Sequence, residues 1–316
     1  MVTDPPTRAR GVWLAALLLT SAAGWLLFLG LAELARAHLI LRAFSSAQSQ
    51  MVGPVLTAVV VTTFMAERVW PAVPRPARAR AHMVDAAYFF VYAAAVPLVT
   101  LLNTGFAVAV GRYAHVLVLE RLPFLPKAMG VAIILVGIDA MNWVAHWGNH
   151  RSSPLWRFHA LHHSQEEMSV LTTFRTHPLT HASYLPALIP AVVLEANGAV
   201  PTATLVVYGS LVAVSHANLP WQYGPLGRVL ISPGFHRLHH ASSAVDGKQV
   251  VNFGFVLTVW DRMARTAAFP GSTTPVPTGI EGRPVAVEQA APGRRLLPLV
   301  AEQLSQPFRL RSGLEG

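Results

Sequence analysis

No cysteine occurs anywhere in the 316 residues. Disulfides, thiolate ligands, iron–sulfur clusters and cysteine-bound zinc are excluded together. Charge is the second scarcity. Asp, Glu, Lys and Arg make up 12% of the chain, against roughly a quarter in a soluble domain. Acidic residues are the scarcer sign, 15 against 24 Lys and Arg, for a net charge of +9. No basic run is interleaved with stacking aromatics, which argues against nucleic acid as a partner. No Gly-x-Gly-x-x-Gly follows a strand-like run, so no nicotinamide or flavin fingerprint is present and no cofactor-binding residues are assigned. Electrons for any redox chemistry are therefore expected from a separate partner. A secretory signal is also missing: Met1–Arg10 is short and basic, but the apolar run behind it is too long and has no clear cleavage site.

What the chain has instead is apolar length. Hydrophobic residues make up 53% and mean hydropathy is +0.44. The run at 11–34 is long enough to cross a bilayer core of about 30 Å, and further apolar runs lie at 51–65, 86–110 and 129–145. Two shorter runs, 184–194 and 203–214, flank Asn197-Gly198 and Pro201, a break that reads as the turn of a helical hairpin with full or re-entrant arms. The expected fold is all-α and integral to the membrane, with about four to six transmembrane or re-entrant helices under a histidine-rich helical cap. The 67–82 loop holds Arg68, Arg75, Arg78 and Arg80, so it is expected on the cytoplasmic side. The span at 129–145 then delivers His146 to that face, and the hairpin leaves and returns there. Arg36 and Arg42 on the opposite side argue the other way. Three regions follow: N-terminal transmembrane helices at 1–125, a metal domain at 126–268, and a Pro-, Gly-, Ser- and Thr-rich tail at 269–316, read as flexible apart from a short amphipathic helix near 296–310.

Eleven of the 14 histidines fall between residues 146 and 240. His146 and His150 are four apart, one turn along a helical face. His159, His162 and His163 have offsets of three and four, and His236, His239 and His240 repeat that pattern. His177 and His181 share the four-residue offset, and His216 closes the last apolar run. One buried histidine is ordinarily a hydrogen-bonded core residue, but ionisable groups are too costly at membrane depth for three clusters to be filler. A neutral imidazole offers one lone pair, and two metals with open positions require about eight to ten such donors. The reading is a di-metal site held by His146, His150, His159, His162, His163, His216, His236, His239 and His240, with His177 balanced between ligand and turn residue. His181 is read as no ligand, and His38, His82 and His115 as surface or interfacial. Asp139, two turns before His146, either orients an imidazole or is a buried polar residue. Asn218 and Asn252 either bond a metal-bound water or cap backbone. Arg175 either holds a carboxylate or headgroup or snorkels.

The order and spacing of these residues resemble the sterol desaturase / fatty acid hydroxylase superfamily. The resemblance is carried by Asp139, Trp143, His146 and His150; by Trp156, His159, His162, His163 and Ser164; by Arg175, His177 and Pro178; by His216 and Asn218; by Ser232, Pro233, His236, His239 and His240; and by Asn252, Gly254, Trp260, Asp261 and Arg262. It covers about residues 130–266. Two departures are Trp147, where an Arg commonly follows the first His, and Met263-Ala264-Arg265-Thr266, where the family has Phe-Gly-Thr. The resemblance implies two iron ions (zinc in their place on overexpression), O2 as co-substrate, and hydroxylation of a lipid or sterol-like molecule drawn from the bilayer, with a ferredoxin or cytochrome-type electron donor. Within that scaffold a desaturase is the alternative. A histidine-rich metal transporter predicts ligands at mid-membrane and acidic residues within spans, whereas these clusters follow the ends of spans. A structural zinc site needs only four donors.

Overall fold

The computed structural model describes residues 47–76, 79–113, 127–193, 199–247, 250–271, 275–282, 285–287 and 293–309. The chain divides into two compact units, Met1–Gly53 and Pro54–Gly316. All eleven histidines at 146–240 belong to the second unit. The apolar run at 11–34, Arg36, Arg42 and the Asn197-Gly198 break lie outside the described residues.

Among the described residues every regular element is a helix, accompanied by two isolated β-bridges, Leu230 with Leu257 and Ala241 with Thr278. Long uncharged runs of Ala, Val, Leu and Met become three long helices: α1 (Ala47–Val69), α2 (Arg80–Tyr113) and α3 (Lys127–Arg151). They enclose the apolar runs read at 51–65, 86–110 and 129–145. Ala128–Arg151 is the one stretch among the described residues long and apolar enough to cross a membrane. These helices carry Val61, Met65, Phe90, Ile133, Val136 and Val144 exposed on their outer surface.

Beyond α3 the elements shorten. Helix α4 (Ser153–His163) opens with a proline in its first turn, where the missing N–H costs nothing. A 3-10 turn at Val170–Phe174 is closed by a capping box between Ser169 and Thr172. The first arm of the expected hairpin is mostly 3-10 helix, Pro178–Leu188, with α-helix only at α5 (Ile189–Val193). Pro186 and Pro190 remove amide donors there, which disfavours a continuous α-helix. The second arm is α6 (Ala199–Ser215). Gly137 lets α5 lie against α3, since a Cβ there would stand 2.8 Å from the Cβ of Pro190. Short helices α7 (Pro233–His239) and α8 (Val259–Met263) come next, and α9 (Leu296–Ser305) is last.

The tail expected to be flexible is packed in its described parts. Val285, Leu299 and Val300 join Val84, Tyr88, Ala160 and Leu161 in one core. Tyr88 Oη donates to Gln303 Oε1 at 2.9 Å. Residues 299, 300, 303 and 304 share one helical face, and that face meets α2 rather than a lipid surface. The 67–82 loop is held just as closely. Glu67 Oε1 accepts the N–H groups of Val170 and Asn218, both at 2.7 Å, and Arg75 donates to the Met168 carbonyl at 2.7 Å.

Candidate metal centre

Four separate pieces of chain converge. The C-terminal turn of α3 brings His146 and His150, and α4 brings His159, His162 and His163. His216 stands one residue past α6, and α7 with its following residue brings His236, His239 and His240. Their ring nitrogens form two groups. His146, His150, His159, His163 and His239 make the first, and His162, His216, His236 and His240 the second. Within each group the candidate ligand atoms lie within 4.8 Å of one another. Among the described residues no carboxylate joins either group. All nine are buried except the half-buried His150.

Backbone carbonyls fix which nitrogen faces inward. His146 Nδ1 donates to the Phe253 carbonyl and His239 Nδ1 to that of Val251, both at 2.7 Å. His216 Nδ1 donates to Val212 at 2.8 Å and His162 Nδ1 to Arg175 at 3.3 Å. A carbonyl only accepts, so these four imidazoles carry their proton on Nδ1 and present a bare lone pair at Nε2. The Nε2 atoms of His162 and His216 nevertheless face each other at 3.1 Å. Neither has a proton to give. Two lone pairs at that distance repel unless a cation lies between them.

The other inward contacts have the same spacing. His146 and His159 meet at 3.0 Å, His159 and His163 at 3.2 Å, His163 and His239 at 3.1 Å, and His216 and His236 at 3.0 Å, always Nε2 to Nε2. Two nitrogens bound at right angles to an ion at about 2.1 Å stand about 3.0 Å apart. His150 Nε2 and both nitrogens of His240 are buried without a hydrogen-bond partner. Burial pushes the pKa of His216 down to about 4 and that of His239 to about 3. It also holds His159, His162, His163, His236 and His240 well below the usual imidazole value, reinforced by neighbouring imidazoles. Neutral, desolvated imidazoles with converging lone pairs fit metal ions.

His177 does not join them. Its Nδ1 accepts the Leu179 N–H at 3.1 Å and its Nε2 donates to the Leu304 carbonyl at 3.2 Å, so both nitrogens are spent. The reason is local: His177 is the N-cap of the 3-10 helix that Pro178 starts, and its ring serves that cap. Asp139 does not touch an imidazole. Its oxygens accept the N–H groups of Val256 and Leu257, both at 3.0 Å, and the Trp260 indole at 2.9 Å. Asn218 is likewise occupied with chain, pairing both ways with Val73 at 3.0 and 2.7 Å and accepting from Arg237 at 3.0 Å.

Sequence reading missed the carbonyls that aim the rings, because a carbonyl has no residue type. One signal was available. Asn252 holds φ +62°, a conformation asparagine tolerates better than most residues. Its side chain donates to the carbonyls of Phe235 and Ala268, both at 2.8 Å, and accepts the Ala268 N–H at 2.7 Å. The kink so pinned turns the flanking carbonyls of Val251 and Phe253 onto His239 and His146. Also missed was Asp85, which accepts from Gln165, Thr172 and Arg175 at 2.9, 2.9 and 3.1 Å. Arg175 thus holds a carboxylate of its own chain, and it also donates to Ser164 and the Leu161 carbonyl beside the histidines.

A cavity of about 350 Å³ opens onto His146, His159, His162 and His216. Leu56, Val60, Val212, Ala213 and Phe255 supply much of its wall, and His181 lines it as well.

Comparison with known proteins agrees with this geometry. Residues 131–266 match the fatty acid hydroxylase family. The ornithine lipid hydroxylase OlsE of Rhizobium tropici is 29% identical over 63% of this chain and 61% of its own. Alkylglycerol monooxygenase of Caenorhabditis elegans is 30% identical over 40% of this chain and 25% of its own, and that of Danio rerio 30% identical over 43% and 30%. The chain therefore spans about three fifths of the first of these relatives and less than a third of the other two. No solved structure matches significantly. Over residues 131–266, less than half of its length, the chain is thus similar to the fatty acid hydroxylase / sterol desaturase superfamily.

Proposed function

We propose that this chain is a membrane-embedded, O2-dependent di-iron enzyme that hydroxylates a lipid. The observation that carries the reading is the pair of unprotonated nitrogens of His162 and His216, facing each other at 3.1 Å with no proton to share. Iron held there would supply the activation of O2 that no amino-acid side chain provides. His146, His150, His159, His163 and His239 would hold one ion and His162, His216, His236 and His240 the other.

The chain's own groups bind, aim and dry the site. The carbonyls of Phe253, Val251, Val212 and Arg175 lock four rings in one tautomer, so no proton has to move before ligation. The cavity receives an apolar chain against Leu56, Val60 and Val212 and keeps water from the histidines. The overall change is RH + O2 + 2 electrons + 2 H⁺ giving ROH + H2O. A ferredoxin or cytochrome-type donor supplies the electrons. Lipid entry from the bilayer agrees with the apolar α3 and with aliphatic side chains exposed along the long helices. The packing of the arginine-bearing 67–82 loop on Met168, Val170 and Asn218 supports a histidine site on the cytoplasmic side, under the positive-inside rule.

Turnover of a lipid extract under 18O2 with a reducing system tests the reaction. Alcohol carrying one labelled oxygen supports it, an unlabelled alkene replaces hydroxylation by desaturation, and anaerobic turnover refutes both.

A further inference from the structure

The cavity wall holds two hydroxyls that the protein leaves unused. Thr173 Oγ1 and Thr180 Oγ1 are buried without a hydrogen-bond partner, and both residues line the cavity. Thr180 is only 4% exposed. Asn142, Tyr208 and Tyr184 of the same wall are engaged: Asn142 donates to Tyr208 Oη at 2.7 Å, and Tyr184 pairs with Asn149. Thr172, adjacent to Thr173, donates to Asp85. An unsatisfied buried hydroxyl is destabilising, whereas valine would fill the same shape without that penalty. A threonine hydroxyl always has a proton to donate, so this pair awaits an acceptor.

Its position says where that acceptor lies. Thr173 and Thr176 flank Arg175 at a distance of two residues and one, and the Arg175 carbonyl holds His162 Nδ1 at 3.3 Å. The hydroxyl-bearing stretch is therefore the one that touches the second histidine group. The wall offered by Leu56, Val60, Gly209, Val212 and Ala213 is apolar.

We propose that Thr173 and Thr180 form a subsite for an acceptor oxygen of the substrate, the carbonyl or ether oxygen that joins an acyl or alkyl chain to its head. This rests on the reading of the chain as a lipid hydroxylase and narrows it. The substrate is an oxygen-linked lipid, gripped at its linkage beside the histidines, with its tail along α1 and α6. A plain hydrocarbon chain leaves both hydroxyls unsatisfied and binds less well.

The test is binding, read by tryptophan fluorescence in detergent micelles on the full-length, metal-loaded protein. The probes are 1-monopalmitoylglycerol, 1-O-hexadecylglycerol and hexadecane. The wild type is expected to prefer at least one oxygen-bearing lipid to hexadecane. The T173V/T180V double variant should lose about tenfold in affinity for that lipid, the size expected for two hydrogen bonds, while hexadecane affinity and metal content stay as they were. T173S/T180S, which restores the hydroxyls, should restore the preference and serves as the folded control. Preference for the ester alone assigns a carbonyl acceptor, and equal preference for the ether assigns the linking oxygen. A double valine variant that keeps both its metal and the preference overturns the proposal, as does a wild type with no preference. Failure of the hydroxylase reading looks different: the threonine-dependent preference persists while no labelled product forms under 18O2.

Discussion

Asp261 reaches His146 through a single residue, Phe253. The Phe253 N–H donates to Asp261 Oδ1 at 2.9 Å, and its carbonyl accepts His146 Nδ1–H at 2.7 Å. The same carboxylate accepts the Gly254 N–H at 2.8 Å, the Trp143 indole at 3.0 Å and the Thr266 hydroxyl at 2.7 Å. A buried carboxylate thus sets a peptide, and the peptide sets an imidazole. Gly254 is needed at this corner because a Cβ would come within 2.8 Å of the Leu257 carbonyl and 2.6 Å of Ile231 Cδ1.

Asp261→Asn keeps the shape and weakens every one of these charge-assisted bonds. Metal release to a chelator is expected to rise about 10- to 100-fold, the usual effect of disturbing a group behind a ligand. Stability should fall by about 1–3 kcal/mol. Chelator kinetics and thermal unfolding on one preparation check both. Release at the wild-type rate would show that Phe253 is held without the carboxylate.

Arg175→Met leaves Asp85 charged, with both side chains fully buried in the wild type. Breaking such a pair costs about 3–5 kcal/mol, seen as a lower unfolding midpoint. Lysine should not rescue it. The guanidinium serves Asp85 through Nη1 and Ser164 through Nε and Nη2, and one ammonium cannot span both.

The metal-free protein should weaken in acid. In the unfolded chain a histidine takes up its proton near pH 6.5, while folded His216 does so only near 4 and His239 near 3. Between those values the unfolded state binds more protons, so stability is full above about pH 7 and declines as pH falls through 6.5 toward 4. Each such imidazole contributes about 1 kcal/mol per pH unit. Chemical denaturation between pH 8 and 5 measures the slope, and a flat profile refutes it. Metal affinity should fall in the same direction, because ligation needs the neutral ring.

Because the chain has no native cysteine, introduced thiols report topology without background. Cysteines at the exposed Ser153 and Ser243 should react with an impermeant reagent from the same, cytoplasmic side of sealed vesicles. Reaction from opposite sides would break the single-site arrangement.

Much of the histidine constellation was legible because an α-helix turns sequence offsets into geometry. Offsets of three and four in α3, α4 and α7 predict eight imidazoles on converging faces, and the structure gathers them with His216 into the two groups. The rule leaves His177 open between ligand and turn residue, and the structure uses its ring as the N-cap of the 3-10 helix that Pro178 starts. Asp139 was noticed for its helical register with His146, yet its oxygens are taken by a loop more than 110 residues later. That partnership depends on tertiary packing and has no signature in spacing. Composition likewise suggested a loose tail, although four residues of α9 suffice to seat it on α2.

The metal groups are built from segments that leave the ribosome far apart in time. His146 emerges first, His240 nearly a hundred residues later, and the carbonyls that aim His239 and His146 only with Val251 and Phe253. The second group and its clamps are complete only at His240, and the first, with its clamps, only at Phe253. The long helices and α6 are thus synthesised before the final ligands exist, and any metal held by the complete groups would be loaded after them.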